Sequence, residues 1–128
     1  MAIEVKYESE KGFIIMVVKG KPSPEEYKTA MDEITQSEQY PADINALWDV
    51  REQDFSEVDT STLRHIIEIS KQYPERGTSR VAFIVKNDLA FGMLRMYEIL
   101  SSTEASESSQ NIRVFRSYPE SEEWLLEG

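Results

Sequence analysis

The sequence contains no cysteine and only one histidine, His65, among its 128 residues. Without thiolates the chain forms no disulfide, iron–sulfur cluster or cysteine-based zinc site, and it has no thiol nucleophile. His65 lies on the flank of a predicted helix, and no serine nucleophile on a strand-to-helix elbow accompanies it. These absences favour binding over catalysis, and we expect a protein that is not an enzyme.

Glycine is also scarce, and the five glycines are spread along the chain: Gly12, Gly20, Gly77, Gly92 and Gly128. Loops that cradle phosphates need several glycines within a few residues. We therefore expect neither a Rossmann nor a P-loop nucleotide site, and no cofactor.

Positive charge is outnumbered, with 14 Lys or Arg against 24 Asp or Glu. This balance argues against nucleic-acid partners and against docking on anionic membranes, since both need cationic side chains. No apolar run approaches the length of about 20 residues that spans a bilayer. The segment from Met1 to Glu10 lacks the apolar stretch of a signal peptide. We expect a cytoplasmic protein without membrane insertion.

Hydrophobic periodicity predicts five strands, at Ile3–Tyr7, Phe13–Val18, Ile44–Val50, Val81–Val85 and Ile112–Arg116. It also predicts helices that begin near Pro24 and Asp59, run from Leu89 to Leu100, and begin near Ser117. The segment from Ser101 to Gln110 lacks periodicity and is predicted to be a mobile surface loop.

Strands that alternate with helices require crossover connections, which produce a mainly parallel sheet. The pattern predicts a single α/β domain over residues 1–128, ordered β-β-α-β-α-β-α-β-α. The sheet has five strands, of which the first is an antiparallel edge, and four helices pack on it. The order of the parallel strands stays open.

The segment from Lys86 to Glu98, KNDLAFGMLRMYE, resembles the strand-to-helix signature of the SpoIIAA-like family, with its Asp, Phe-Gly, Arg-Met and Glu. Val114-Phe115-Arg116 and the terminal Trp124-Leu125 add to the likeness. The element order is also that of STAS domains, which share the anti-sigma-factor-antagonist fold. The resemblance implies this fold for essentially the entire chain. It implies little about function, since this bacterial family is largely without assigned activity.

A second segment, Asp59-Thr60-Ser61-Thr62-Leu63, is similar to the Asp-Ser-Ser-Gly-Leu segment of bacterial antagonists. A serine there is phosphorylated to switch partner binding, so the match implies Ser61 as the phospho-acceptor. Thr62 replaces the glycine of the antagonists. Strings of Asp, Ser and Thr before a helix are also selected by N-capping alone. Both interpretations stay open.

Several carboxylates follow strands at the predicted carboxyl edge of the sheet: Asp49, Asp54, Glu57, Asp59 and Asp88. Their spacing matches no calcium-binding loop, and helix capping and solvation explain most of them. We expect no metal site. Asp49 and Arg51 instead predict an ion-pair network, with each other or with Asp88 and Arg95.

The helix from Leu89 to Leu100 is apolar over an unusually wide arc. Such a helix is either deeply buried or covered by a partner.

Two functions follow from these patterns. The leading hypothesis is a non-enzymatic regulatory or protein-interaction module, phospho-switched at Ser61, which contacts a protein partner or a second copy in a homodimer. Its predicted surface comprises Asp59, Thr60, Phe91, Met93, Arg95, Met96 and Tyr97. The alternative is a carrier or sensor that binds a small apolar or lipid-like ligand between sheet and helices. It draws support from the aromatic residues and from Met16, Met31, Met93 and Met96.

Overall fold

Five strands and four helices follow one another in the predicted order. The structure is a computed structural model that describes residues 2–7, 10–104 and 111–127. The strands are β1 (Ile3–Tyr7), β2 (Phe13–Gly20), β3 (Asn45–Gln53), β4 (Arg80–Ile84) and β5 (Asn111–Phe115). The helices are α1 (Pro24–Gln36), α2 (Thr60–Ser70), α3 (Asp88–Glu104) and α4 (Tyr118–Leu126), with a 3-10 turn at Pro74–Arg76. Within these residues, no helix is both long and apolar enough to cross a membrane.

The strands lie in the sheet in the order in which they occur in the chain, β1-β2-β3-β4-β5. Strand β1 is antiparallel to β2, and the other neighbours are parallel. The predicted α/β fold is confirmed, and the strand order that the sequence left open is sequential. Because three successive right-handed crossovers step in one direction, they bring α1, α2 and α3 to the same sheet face. Helix α4 packs on the other face.

The alternation of side chains along β2 connects the sheet to two apolar layers. Ile14, Met16 and Val18 belong to the larger layer, beneath α1, α2 and α3. Phe13 and Ile15 belong to the smaller layer, beneath α4. A strand buried on both faces reads as a continuous apolar run, as predicted for Phe13–Val18.

Two boundaries differ from the prediction by three or more residues, and others differ by one or two. Strand β3 continues to Gln53, because Glu52 and Gln53 pair with Lys19 and Gly20 beyond a register shift at which β3 has one residue more than β2. Helix α3 continues to Glu104, so the first four residues of the predicted Ser101–Gln110 loop are helical. The last turn of α3 has no apolar stripe. Backbone hydrogen bonds and local side-chain bonds stabilise it, such as that from the Ser102 hydroxyl to the Ile99 carbonyl. Residues 105–110 of that loop lie outside the described residues.

The helix starts that border the cavity described below are capped by side chains. The Ser23 hydroxyl accepts the Glu26 N–H at the start of α1. The Asp59 carboxylate accepts the Thr62 N–H at 2.9 Å and the Thr62 hydroxyl at 2.9 Å at the start of α2. Both are reciprocal capping boxes, which fix where each helix begins.

A buried arginine fastens the connection between α1 and β3. Arg76 is 2% exposed and donates to the backbone carbonyls of Ala42, at 3.0 Å, and Ile44. Desolvation lowers its pKa to about 10, so the side chain stays charged at neutral pH. These bonds hold the segment that leads into the central strand.

We predict that Arg76→Met destabilises the protein by about 3 kcal/mol, since two partly buried carbonyls lose a charged donor. Chemical denaturation measures the change. Glu75→Ala, in the same turn but exposed, serves as the control and should stay within about 0.5 kcal/mol. An equal effect of the two variants would contradict the role of Arg76.

A second prediction concerns pH. The Thr62 N–H holds the pKa of Asp59 below its ordinary value of 3.8, so the ionised carboxylate favours the folded state. That stabilisation is complete above pH 3.8 and is lost as the pH falls through the lower folded-state value. Asp59→Asn keeps a capping residue without the charge. Wild type should be the more stable at neutral pH, and thermal melts should converge as the solution is acidified. The prediction is refuted if the difference in stability between wild type and Asp59→Asn persists at low pH. It is also refuted if Glu38→Gln lowers the stability at neutral pH as much as Asp59→Asn does.

Candidate functional site

A cavity of about 600 Å³ lies between the sheet and the helices at the carboxyl ends of β2 and β3. This edge is where open α/β sheets usually bind ligands. Strands β1 to β4 contribute the floor, with Ile3, Val18, Trp48, Val50 and Phe83. The helices contribute the walls, and the two loops that enter α1 and α2 form the rim.

Aromatic rings line the inner part of the cavity. Tyr27 of α1 lies 5.5 Å from Trp48 of β3, and Trp48 lies 6.2 Å from Phe83 of β4, between ring centroids. Tyr97 of α3 meets Phe83 edge-to-face at 5.9 Å. All four rings border the open space.

The Tyr27 hydroxyl is already engaged, since Tyr27 Oη lies 3.0 Å from Ser70 Oγ. The Tyr97 hydroxyl is buried near the hydroxyls of Ser70, Tyr27 and Ser101, which act on its pKa. Burial raises the pKa of Tyr97 and raises that of Tyr27 well above its ordinary value, so both stay neutral. The inner cavity is therefore apolar and uncharged at physiological pH.

Charged and hydroxyl side chains surround the opening. Lys21 Nζ lies 3.1 Å from Glu57 Oε2 and 3.8 Å from Asp54 Oδ2, which links the loop before α1 to the loop before α2. The hydrogen bond that Lys21 donates to Glu57 raises the pKa of Lys21. Ser61 and His65, one turn apart on α2, are exposed and line the same opening. A polar rim around an apolar interior suits an amphipathic ligand.

The predicted phospho-acceptor Ser61 is the second residue of α2, at this rim. Thr62, which departs from the antagonist pattern, belongs to the capping box with Asp59. Capping thus accounts for the Asp and Thr of the segment and leaves the Ser61 hydroxyl exposed. Phosphorylation of Ser61 stays a prediction.

The predicted interaction residues fall into two groups. Thr60 Oγ1 lies 3.5 Å from Met96 Sδ, which joins the start of α2 to the exposed side of α3. Arg95 is exposed too and pairs with Glu98 at 3.0 Å. Tyr97 is 5% exposed and faces the cavity, whereas Phe91 and Met93 are half-buried. The wide apolar arc of α3 is therefore buried on one side and exposed on the other.

The carboxylates at the sheet edge do not converge. Asp49 pairs with Arg51 at 2.8 Å, as predicted, but Asp88 pairs with Arg116. Arg95 pairs with Glu98. The four charges of the predicted network therefore belong to three separate ion pairs. In the part of the chain that the structure describes, no three His, Asp or Glu side chains are placed to hold a metal ion.

The sequence singled out some residues that line the cavity, but not because of a cavity: Asp54, Glu57, Ser61, His65 and Tyr97. It did not single out Lys21, and Tyr27 and Trp48 have the pattern of ordinary core positions. The methionines offered in support of a ligand do not line it: Met16 and Met31 are buried in the core, Met93 is half-buried and Met96 is on the surface. Apolar periodicity identifies a buried face but carries no information about the space left between two buried faces.

The fold has a solved counterpart. The chain is similar to an uncharacterised protein of the DUF3478 family from Shewanella loihica PV-4, which has a SpoIIAA-like fold. The TM-score is 0.59 and the sequence identity is 18%, over 97% of this chain and 92% of that chain. No protein-family profile and no curated protein matches the sequence. At this identity the likeness concerns the fold alone, and it confirms the SpoIIAA-like fold that the Lys86–Glu98 segment implied.

Proposed function

We propose that the protein is a non-enzymatic regulatory module that senses or carries a small, mainly apolar ligand in the cavity between the sheet and helices α1 and α2. The observation that carries this proposal is the cavity itself. Its volume of about 600 Å³ lies within the range of about 300–1,000 Å³ typical of small-molecule sites. We therefore favour the carrier or sensor, the alternative hypothesis from the sequence, over a module that acts through protein contact alone.

The lining restricts the chemistry of the ligand. The Tyr27 hydroxyl at the inner end bonds to Ser70, and the rest of the inner lining is mainly apolar, so a polar group placed there would lose most of its hydrogen bonds to water. The inner part of the ligand is accordingly a hydrocarbon or an aromatic body. A polar end fits the rim, where Lys21, Ser61 and His65 offer hydrogen bonds.

We further propose Ser61 as the regulatory position. A phosphate there gains from the N-terminus of α2 but adds charge beside Asp59, whose carboxylate already accepts bonds from that turn. It also competes with Glu57 for Lys21, which closes one side of the rim. Phosphorylation should therefore change access to the cavity. We expect this regulation to take place in the cytoplasm, through contact with a protein partner or a second copy.

The ligand proposal is tested with the neutral apolar dye N-phenyl-1-naphthylamine. In a Trp124→Phe background Trp48 is the only tryptophan, and it borders the cavity. We expect saturable energy transfer from Trp48 to the dye at one dye per chain. Val58→Phe, which fills the cavity from the rim, should weaken binding at least about tenfold, equal to about 1.4 kcal/mol.

The matched control is Val17→Phe, the same substitution on the sheet face opposite the cavity. It should leave dye binding unchanged. Circular dichroism confirms that both variants are folded. Dye binding that is absent in the wild type, or equal in the two folded valine variants, would refute a ligand in this cavity.

The role of Ser61 is tested with the same dye. Ser61→Asp should change its affinity by about threefold or more, since a new negative charge redirects Lys21, whereas Ser61→Ala should bind as the wild type does. Because the dye is uncharged, direct repulsion does not contribute. Equal affinities of the two variants would argue against a switch at this residue.

A further inference from the structure

Strand β1 is an edge of the sheet, and one row of its backbone groups faces away from β2. The Lys19 N–H donates to the Ala2 carbonyl. Because backbone groups alternate in direction along an antiparallel pair, those of Ile3, Val5 and Tyr7 point away from β2. Among the described residues, no hydrogen bond reaches the N–H or C=O groups of these three residues. The edge can therefore accept another strand.

A second, smaller cavity lies beside the same edge. Its volume is about 410 Å³, and Val5, Tyr7 and Tyr40 line it together with the end of α1. The rings of Tyr7 and Tyr40 lie 4.8 Å apart between centroids. An added strand alternates its side chains between the two faces of the sheet. The side chains that it places on the α1 face find room in this cavity.

The other face of β1 carries one charge of each sign. Glu4 and Lys6 alternate with the residues that pack toward α1, and their charged atoms lie 3.2 Å apart. Both side chains are more than half exposed. A two-fold pairing centred on Val5 places Glu4 of each copy opposite Lys6 of the other. Opposite charges directly across an antiparallel pair are stabilising, so β1 is complementary to itself.

From the unpaired backbone groups and this charge pattern, we infer that β1 is the contact surface between two copies of the chain, which join through antiparallel β1 strands. Val5 then lies opposite Val5 and Ile3 opposite Tyr7, and the outward groups form about six hydrogen bonds. The contact lies on β1 and not on the α2 and α3 surface that was predicted from the sequence. The inference rests on the proposed function for its regulatory role, but not on a ligand in the larger cavity.

Charge selects this pairing over the alternatives. If the two strands slide by two residues, Lys6 lies opposite Lys6 or Glu4 opposite Glu4, which is unfavourable. At the other edge of the sheet, a two-fold pairing centred on β5 places Arg113 opposite Arg113. A strand of another protein would need charges that match Glu4 and Lys6, whereas a second copy has them by symmetry.

Sedimentation at physiological ionic strength measures the dimer, since salt screens the long-range repulsion of acidic chains. Lys6→Glu and Glu4→Lys each replace opposite charges by like charges at both ends of the contact. Each should raise the dissociation constant of the dimer at least about tenfold. An equimolar mixture of the two variants has opposite charges across the contact again, so it should form a heterodimer about as stable as the wild-type dimer.

The matched control is Lys86→Glu, the same change of charge at an exposed residue of the loop before α3. It should dimerise as the wild type does. Circular dichroism confirms that all variants are folded.

Hydrogen exchange locates the contact. The amides of Val5 and Tyr7 gain acceptors in the dimer alone, so they should exchange at least about tenfold more slowly in the wild type than in Lys6→Glu. The amide of Glu4 faces β2 and should be protected in both proteins.

The inference is overturned if the wild type sediments as a monomer up to about 1 mM, if Lys6→Glu dimerises as well as the wild type, or if the two variants fail to associate when mixed. It is also overturned by a dimer that Met96→Ser dissociates and Lys6→Glu does not, because the contact then lies on α3. Sedimentation needs no ligand, and the dye assay needs no dimer. Ligand binding and self-association can therefore fail separately.

Discussion

The handedness of the crossovers is the constraint on which the rest of this structure depends. Three right-handed βαβ units that step in one direction place α1, α2 and α3 on a single sheet face. Among the described elements, α4 alone covers the other face, with a small core around Phe13 and Leu125. The cavity forms on the face that carries three helices, at the carboxyl ends of β2 and β3. It lies between the two loops whose residues Ser23 and Asp59 cap α1 and α2. The same stepping leaves α3 as the last helix of its layer, with one side exposed.

Charge and burial divide the molecule into regions with different chemistry. The cavity is mainly apolar inside, where the Tyr27 hydroxyl bonds to Ser70, and its rim is polar because loop carboxylates meet Lys21. The exposed side of α3 has a third character, since it carries apolar side chains and its arginine neighbours are paired, Arg95 with Glu98 and Arg116 with Asp88.

Much of the fold was predictable because it depends on local patterns. The apolar run at Phe13–Val18 identified a buried strand, and residues able to cap a helix placed helix starts near Pro24 and Asp59. The segment from Ser101 to Glu104 was assigned to a loop because it has no apolar periodicity. Its residues are helical all the same, since backbone and local side-chain hydrogen bonds stabilise the last turn of α3. The candidate site was harder to predict from the sequence. Tyr27 and Trp48 have the pattern of core residues whether they pack against each other or border a cavity, since that depends on the distance between layers.

The most direct measurement is native mass spectrometry of the protein isolated from its own host, in parallel with the Val58→Phe variant. A ligand-binding module should carry one small molecule per chain, which denaturation releases and which the variant largely lacks. If the wild type and the folded variant both have the mass of the polypeptide alone, the cavity is not a ligand site, and the central claim is contradicted.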